Sequence, residues 1–326
     1  MGHLLSRRTI LFGVGSSLFM TELLSKTLAS PDADPKQDWS EGSRAILARL
    51  KAHGASGRVT AEDAAALIKA ENATVERVMV RLLPIARDYA RPPISNFHVG
   101  AVGLGASGAL YLGANFEVGG NALNQTIHGE QSVVANAFSH QERGLTALAV
   151  TDAPCGHCRQ FLNELTGGLK LQIIVPDQKS RTLEDLLPSS FGPQDLGVTG
   201  GLLNSPPAEL HLTSRAKDAL AQDALVAASR AYAPYTKAHS GCAVLFKSGR
   251  SYNGAYLENA AFNPSLSPLQ SALVRAVFAG EDLSTIERVV LVELKGAVIS
   301  QRSATEAVLA SLAAKASLET RTAAVS

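Results

Sequence analysis

The chain repeats part of its own sequence, and this repeat constrains the fold more than any other feature. The segment PPISNFHVGAVG, which contains Pro93, is followed by the similar segment APYTKAHSGCAV, whose Pro234 lies 141 residues further along. The same separation pairs Glu117 with Glu258, and no gap is needed between these points. Such self-similarity indicates two copies of one structural unit, so we expect a duplicated fold.

Composition sets the broad class of protein. The chain has 326 residues, of which 46% are hydrophobic and 18% are charged, so a disordered or fibrous protein is excluded. The net charge is +1 and the chain has one tryptophan, so we expect no basic, aromatic groove for nucleic acid and no stable membrane association. The length suits two domains.

Alternating local signals predict an α/β layered unit in which helices cover a sheet. Capping residues with apolar spacing predict helices, and short apolar runs between turn residues predict strands. The predicted helices cover about 60–68, 74–90, 128–139, 155–165 and 216–232, and the predicted strands cover 97–103, 109–115, 147–151 and 171–175. This order predicts a sheet with helices packed on it.

A glycine pattern near residue 105 resembles a dinucleotide-binding loop. Gly103, Gly105 and Gly108 match G-x-G-x-x-G, which requires a helix to follow. The residues that follow, ALYLGAN, predict a strand instead. We therefore predict a hairpin turn at these glycines.

The residues with distinctive chemistry occur only in the first copy. There His128 and Glu130 form an H-x-E motif, and Cys155 and Cys158 form a P-C-x-x-C motif. Extending the 141-residue separation places Leu269 opposite His128 and a glycine opposite Cys155. We therefore predict one functional copy and one degenerate copy.

An imidazole and two thiolates are ligands that suit Zn²⁺ with a fourth position open to water. Glu130 lies two residues from His128, where it can take a proton from that water without binding the metal. Three alternatives remain: His157 as a fourth ligand of a closed site, a redox pair of cysteines, and a purely structural zinc site.

Longer motifs resemble the cytidine deaminase family in its two-domain, homodimeric, zinc-dependent form. They are LLPIAR, FHVGAV, GANFEV, IHGEQS, PCGHCRQFLNEL, FGPQDL, APYTKAHSG and ENAAFNPSL, and they extend from about residue 60 to about residue 314. The resemblance implies an α/β fold of duplicated α/β/α three-layer domains with mixed sheets, plus a small N-terminal helical segment. It also implies one Zn²⁺ per subunit, held by His128, Cys155 and Cys158.

The resemblance further implies how a nucleoside would bind in the first copy. Asn115 and Glu117 would hydrogen-bond the ribose hydroxyls, and Phe97 would pack against the base. The backbone N–H of Gly129 would contact the pyrimidine O2, and the carbonyl of Ala153 would contact the departing amine. The family commonly has alanine where this chain has Gly129.

The resemblance implies a catalytic role for Glu130 and a contribution from Ala261 and Phe262 to the partner subunit's site. The expected reaction is hydrolytic deamination of cytidine and 2′-deoxycytidine to uridine and 2′-deoxyuridine in pyrimidine salvage. Two alternatives are a deaminase of a related amino-heterocycle nucleoside and a non-catalytic, zinc-stabilised binding protein.

The amino terminus predicts an export signal. Arg7 and Arg8 precede an apolar stretch that is too short to span a bilayer, and a small-residue site follows near Ala29. This pattern is typical of a twin-arginine signal over residues 1–30, which would direct the protein to the periplasm. The alternative is an unprocessed extension on a cytoplasmic protein.

The complete expected organisation has five parts. After the signal, residues 31–72 are expected to form a linker and a small helical segment, with the polar linker over 31–45. The catalytic zinc domain is expected over 73–190, a Pro/Gly/Ser-rich linker over 191–212, and the degenerate domain over 213–326.

Overall fold

The computed structural model describes residues 39–214 and 218–326. In the first half, the helices are α1 (Glu41–Lys51), α2 (Ala61–Ala70), α3 (Val75–Arg87), α4 (Gly129–Ser139), α5 (Gly156–Leu162) and α6 (Leu183–Leu186). The strands are β1 (Arg58–Val59), β2 (Gly100–Gly105), β3 (Leu110–Ala114), β4 (Leu145–Val150), β5 (Gln172–Ile174) and β6 (Arg181–Thr182). The predicted signal over residues 1–30 lies outside the described residues.

In the second half, the helices are α7 (Ala219–Ser229), α8 (Pro268–Phe278) and α9 (Arg302–Leu312). The strands are β7 (Leu210–Leu212), β8 (Ser240–Phe246), β9 (Ser251–Ala255), β10 (Ile286–Leu294) and β11 (Ser317–Val325). The second sheet has the order β7-β11-β10-β8-β9, and the first has the order β1-β3-β2-β4-β5-β6. Each sheet is mixed, because β4 runs parallel to β5 and β10 runs parallel to β11.

Two glycines show that helices cover both faces of the first sheet. A Cβ at Gly100 would collide with the backbone of α3, whereas a Cβ at Gly113 would collide with the backbone of α4. Gly113 pairs with Ala101, the neighbour of Gly100, so the two glycines face opposite sides of the sheet. The predicted α/β/α three-layer fold is confirmed.

The second half repeats this arrangement. Gly241 approaches the backbone of α7 and Gly254 approaches the backbone of α8, as their counterparts approach α3 and α4. The central helices α4 and α8 also contact each other. The two halves therefore pack through the helices that follow their hairpins.

The 141-residue separation does not extend to these central helices. It relates Phe116 to Leu257, but the bridge partners of these residues are Ile127 and Leu266, which are 139 residues apart. The connecting loop of the second half is therefore two residues shorter than that of the first.

The shorter loop corrects the alignment that the sequence predicted at the metal-binding helix. His128 precedes α4 as Ser267 precedes α8, so the structural counterpart of His128 is Ser267. Leu269 is the counterpart of Glu130 and not of His128. The conclusion that the second copy lacks the polar cluster is unchanged.

The segments that were predicted as linkers contain a helix and an edge strand, and a second edge strand lies just before the helix predicted at residue 60. Helix α1 begins at Glu41, inside the predicted polar linker, and β1 pairs with β3 at the edge of the first sheet. Likewise β7, inside the predicted linker over 191–212, pairs with β11. Short edge strands of two or three residues carry too weak a periodic signal to be recognised in the sequence.

The predicted hairpin is confirmed, because β2 and β3 are antiparallel neighbours joined by the turn that contains Gly108. Gly108 has a φ of 86°, a conformation that glycine adopts without strain. Among the described residues, no helix combines the length and hydropathy that crossing a bilayer requires.

Candidate active site

Two helix starts position the residues of the predicted metal site. His128 is the residue before α4, and the bridge between Ile127 and Phe116 holds it near the end of β3. Cys155 is the residue before α5, which follows β4. Helix N-termini stabilise negative charge, so this placement favours the thiolate form of Cys155.

The three ligand atoms lie at distances that fit one metal ion. The Cys155 Sγ lies 3.5 Å from the Cys158 Sγ and 3.7 Å from the His128 Nδ1. One ligand atom from each residue lies within 4.8 Å of the others. Tetrahedral zinc with Zn–S bonds of about 2.3 Å places two sulfurs about 3.8 Å apart, so these residues fit Zn²⁺.

His157 is not part of this cluster. Its ring stacks on that of His128 with centroids 5.3 Å apart, and its Nε2 lies 3.3 Å from the Gln131 Nε2. The set of three side chains that could hold a metal therefore does not include His157. This leaves the fourth position for water, as a catalytic zinc site requires.

The hydrogen bond between the two thiols shifts their pKa values in opposite directions. Hydrogen bonds from Cys158 and His128 lower the pKa of Cys155 to about 3. The hydrogen bond to Cys155 and burial raise the pKa of Cys158 far above its usual value. A divalent cation bound by both sulfurs would favour the thiolate form of each cysteine.

Glu130 lies in the first turn of α4 and is 4% exposed. Burial raises the pKa of its carboxyl group, while hydrogen bonding to Cys158 opposes that shift. A carboxyl group whose pKa is raised can both accept and return a proton near neutral pH. The carboxyl group lies close enough to Cys158 to hydrogen-bond it, so it is next to the predicted metal ligands.

Asn115 and Glu117 brace the loop that carries Phe97. The Asn115 Oδ1 accepts the N–H of Val99 at 2.9 Å, and its Nδ2 donates to the Phe97 carbonyl at 2.8 Å. Glu117 accepts the N–H groups of Ile94 and Ser95 at 2.8 and 2.9 Å. Each side chain keeps further hydrogen-bonding capacity for a ligand.

The other predicted substrate residues differ in their exposure. Phe97 is 52% exposed, which leaves its ring free to cover a ligand. Its counterpart in the second half is the buried Ala238, so that half has lost the aromatic ring. Gly129 is the buried first residue of α4, and Ala153 is exposed two residues before Cys155.

The loop with Ala261 and Phe262 lies against the catalytic half of its own chain. The Asn259 Nδ2 donates to the Gln160 carbonyl at 3.0 Å, and the Gln131 Nε2 donates to the Pro264 carbonyl at 3.0 Å. Phe262 is 59% exposed and has a φ of 61°, which is unusual for a bulky residue. These contacts hold the ring at the surface.

Gln131 is the residue that sequence reasoning missed. Its Oε1 accepts the backbone N–H of His128 at 3.1 Å, and the side chain is almost completely buried. The signal was present, because glutamine three residues after a helix-capping position commonly binds back to that position.

The fold and the site define a zinc-binding protein of two related α/β/α domains, and within the described residues the metal-ligand set lies in the first domain. The family described as "Cytidine and deoxycytidylate deaminase zinc-binding region" matches residues 73–171 and, in a second form, residues 183–306.

Curated relatives and a solved structure carry the same name. The cytidine deaminase of Photorhabdus laumondii is 48% identical over 78% of this chain and 86% of its own length. The cytidine deaminase of Aeromonas salmonicida is 42% identical over 86% of this chain and 95% of its own length. A crystal structure of cytidine deaminase from Mycobacterium tuberculosis is 35% identical, with a TM-score of 0.33, and covers 36% of this chain and 96% of that chain. The sequence relatives show that the chain belongs to the cytidine deaminase family.

Proposed function

We propose that the protein hydrolyses cytidine and 2′-deoxycytidine to uridine and 2′-deoxyuridine with release of ammonia, as a step of pyrimidine salvage. The observation that carries this proposal is the buried Glu130 beside the ligand set of His128, Cys155 and Cys158. A zinc site that only stabilises a fold has no need of a buried proton carrier, so the non-catalytic alternative is disfavoured.

Bound zinc supplies a water whose pKa is lowered to about 7. The Glu130 carboxylate would accept a proton from the attacking water and deliver it to N3 of the pyrimidine. It would then accept the second proton of that water from the new C4 hydroxyl and deliver it to the amine, which leaves C4 as ammonia while the C4 carbonyl forms. The Glu130 side chain is 4% exposed, so it has little contact with bulk solvent.

Five residues support a nucleoside as the substrate. Asn115 and Glu117 offer an amide and a carboxylate for the ribose hydroxyls, and Phe97 offers an exposed ring for the base. The N–H of Gly129 is at a helix start, where the first N–H groups have no partner within the helix, so it can donate to O2. The carbonyl of Ala153 is assigned to the departing amine.

The test compares the wild type with Glu130→Ala at equal zinc content. We expect the wild type to deaminate cytidine and 2′-deoxycytidine and the variant to lose at least about a hundredfold in kcat, because general acid–base catalysis contributes that much or more. The decrease of cytidine absorbance measures turnover. A zinc-loaded wild type that turns over neither nucleoside would contradict the proposal and favour another amino-heterocycle or a structural zinc protein.

We also infer that the protein is a homodimer in which Ala261 and Phe262 close the partner's active site. Large apolar side chains that are exposed in the single chain support a second subunit, because an interface would bury such side chains. They are Ile94 (50% exposed), Phe97 (52%), Leu123 (73%) and Phe262 (59%).

Subunit mixing tests this arrangement. If Phe262 acts in the partner, equal mixtures of Glu130→Ala and Phe262→Ala subunits recover about a quarter of wild-type activity, since each heterodimer has one complete site. If Phe262 acts in its own chain, no heterodimer site is complete and mixing restores nothing. A fully active Phe262→Ala homodimer would refute the assigned role of the loop.

We propose that the leader directs twin-arginine export to the periplasm. This route carries folded proteins, which suits an enzyme that acquires its metal before export. Fractionation of a Gram-negative host should place the enzyme in the periplasm, and changing Arg7 and Arg8 to lysine should retain it in the cytoplasm. Equal cytoplasmic retention of both forms would indicate a cytoplasmic enzyme.

A further inference from the structure

Gln131 joins the start of the metal-binding helix to the second half of the chain. Its Oε1 accepts the N–H of His128 at 3.1 Å, and its Nε2 donates to the Pro264 carbonyl at 3.0 Å. The residue is 2% exposed, so both bonds are shielded from water. Breaking them leaves buried groups without partners.

The degenerate copy contains the same arrangement. The Gln270 Oε1 accepts the N–H of Ser267 at 2.8 Å, and its Nε2 donates to the Gln125 carbonyl at 3.1 Å. Gln131 and Gln270 are separated by 139 residues, as are Gln125 and Pro264. The two glutamines therefore make equivalent, reciprocal contacts between the halves.

The two glutamines differ in the residue whose backbone they bind at the start of the helix. Gln131 binds the backbone of the metal ligand His128, and the first turn of the same helix contains Glu130. The backbone that Gln270 holds belongs to Ser267, whose hydroxyl only caps its own helix. The same hydrogen bonds therefore hold a metal ligand in the first half and only a helix-capping residue in the second half.

We propose that Gln131 is a positioning residue for the deamination reaction, which sets the His128 backbone relative to Cys155 and Cys158 through its bonds to His128 and to the Pro264 loop. The inference rests on the proposed function for its catalytic part. Its metal-binding part stands independently, because His128 is a ligand whether or not cytidine is the substrate.

The experiment compares Gln131→Met with Gln270→Met, since methionine has a similar shape and cannot replace either hydrogen bond. Both variants lose the bond to the helix start and the bond to the other half, and Gln131→Met also loses the contact of the Gln131 Nε2 with the His157 Nε2. We expect both variants to show a decreased Tm. Groups that orient a metal ligand contribute roughly ten- to a hundredfold to metal affinity. We therefore expect Gln131→Met to bind zinc at least about tenfold more weakly in chelator competition, and Gln270→Met to remain within about twofold of the wild type.

At saturating zinc, Gln131→Met should show a lower kcat with an almost unchanged KM, because the substrate contacts are retained. Equal zinc affinities in the two variants would overturn the proposal. If Gln131→Met does not fold, Gln131→Asn, whose shorter side chain cannot span both partners, is measured with Gln270→Asn. An inactive wild type with the expected zinc difference would reject the proposed function and retain the positioning role.

Discussion

At the residue scale, Glu117 and Glu258 show how one side chain acquires a second role. Glu258 accepts the N–H groups of Tyr235 and Thr236 at 2.8 and 3.2 Å, as Glu117 accepts those of Ile94 and Ser95. The bracing contact is thus present in a half that has no metal ligands. Glu117 differs from Glu258 because it lies close enough to the metal ligand His128 to interact with it electrostatically.

Burial alone would raise the pKa of Glu117, but hydrogen bonds from Ser95 and Ile94 hold it below its usual value. The carboxylate is therefore ionised at neutral pH and can accept a further hydrogen bond from a sugar hydroxyl. An ionised acceptor contributes more to binding than a neutral one.

The matched substitutions Glu117→Gln and Glu258→Gln separate the two roles. Glutamine can keep the bracing bonds but loses the charge, so we expect Glu117→Gln to lower kcat/KM about ten- to a hundredfold, equivalent to about 1.5–3 kcal/mol. Glu258→Gln should leave kcat/KM within about twofold of the wild type. Equal losses of kcat/KM in both variants would show that Glu117 only braces its loop.

At the element scale, close contacts between strands and helices set the site geometry. A Cβ at Gly113 would collide with the Gly129 carbonyl and with Val133, so α4 approaches β3 as closely as a glycine permits. Gly254 allows the same approach of α8 to β9. Because Gly113 has no side chain, the helix that contains Glu130 and follows His128 can pack directly on the sheet.

Alanine at these two positions should have different consequences for metal binding. Overpacking costs about 1–3 kcal/mol, so we expect both Gly113→Ala and Gly254→Ala to lower Tm. Only Gly113→Ala displaces the helix start that holds a ligand, and only this variant should bind zinc more weakly. Chelator competition with each purified variant measures the difference, and unchanged affinity in Gly113→Ala would contradict this account.

At the scale of the whole molecule, a buried carboxylate joins the two halves. Glu164 of the first half accepts hydrogen bonds from the hydroxyls of Tyr232 and Tyr235 at 2.7 and 2.5 Å and from the N–H of Ala260 at 2.8 Å. Its side chain is completely buried, and burial raises its pKa above the ordinary value of 4.5 despite these bonds.

This shift predicts a pH dependence of stability. The folded protein binds the Glu164 proton more tightly than the unfolded chain, so the contribution of Glu164 is complete below about pH 4.5 and is lost as pH rises through the folded pKa. Glu164→Gln removes this titration and leaves one buried donor unpaired, a cost of about 1–3 kcal/mol. The Tm advantage of the wild type should therefore shrink between pH 4.5 and 8, and a constant advantage would contradict the assignment.

The sequence alone determined the duplication, the α/β class and the candidate metal ligands. These features are encoded locally: short-range periodicity and capping specify helices and strands, and His128, Glu130, Cys155 and Cys158 belong to two compact motifs. Comparison of the copies also identified the degenerate one, although a single separation of 141 residues misplaced the counterpart of His128.

Only the tertiary structure decided which residues from the two halves meet. Gln131 and Pro264 are 133 residues apart, and Glu164 and Tyr235 are 71 residues apart, so no local pattern relates them. Their contacts exist because α4 and α8 pack together and bring loops of both halves to one place. The short edge strands β1 and β7 form because they pair with strands that are distant in the sequence, and local propensity does not include the energy of that pairing. The loop that is two residues shorter in the second half is likewise visible only from the residues that pair at its ends.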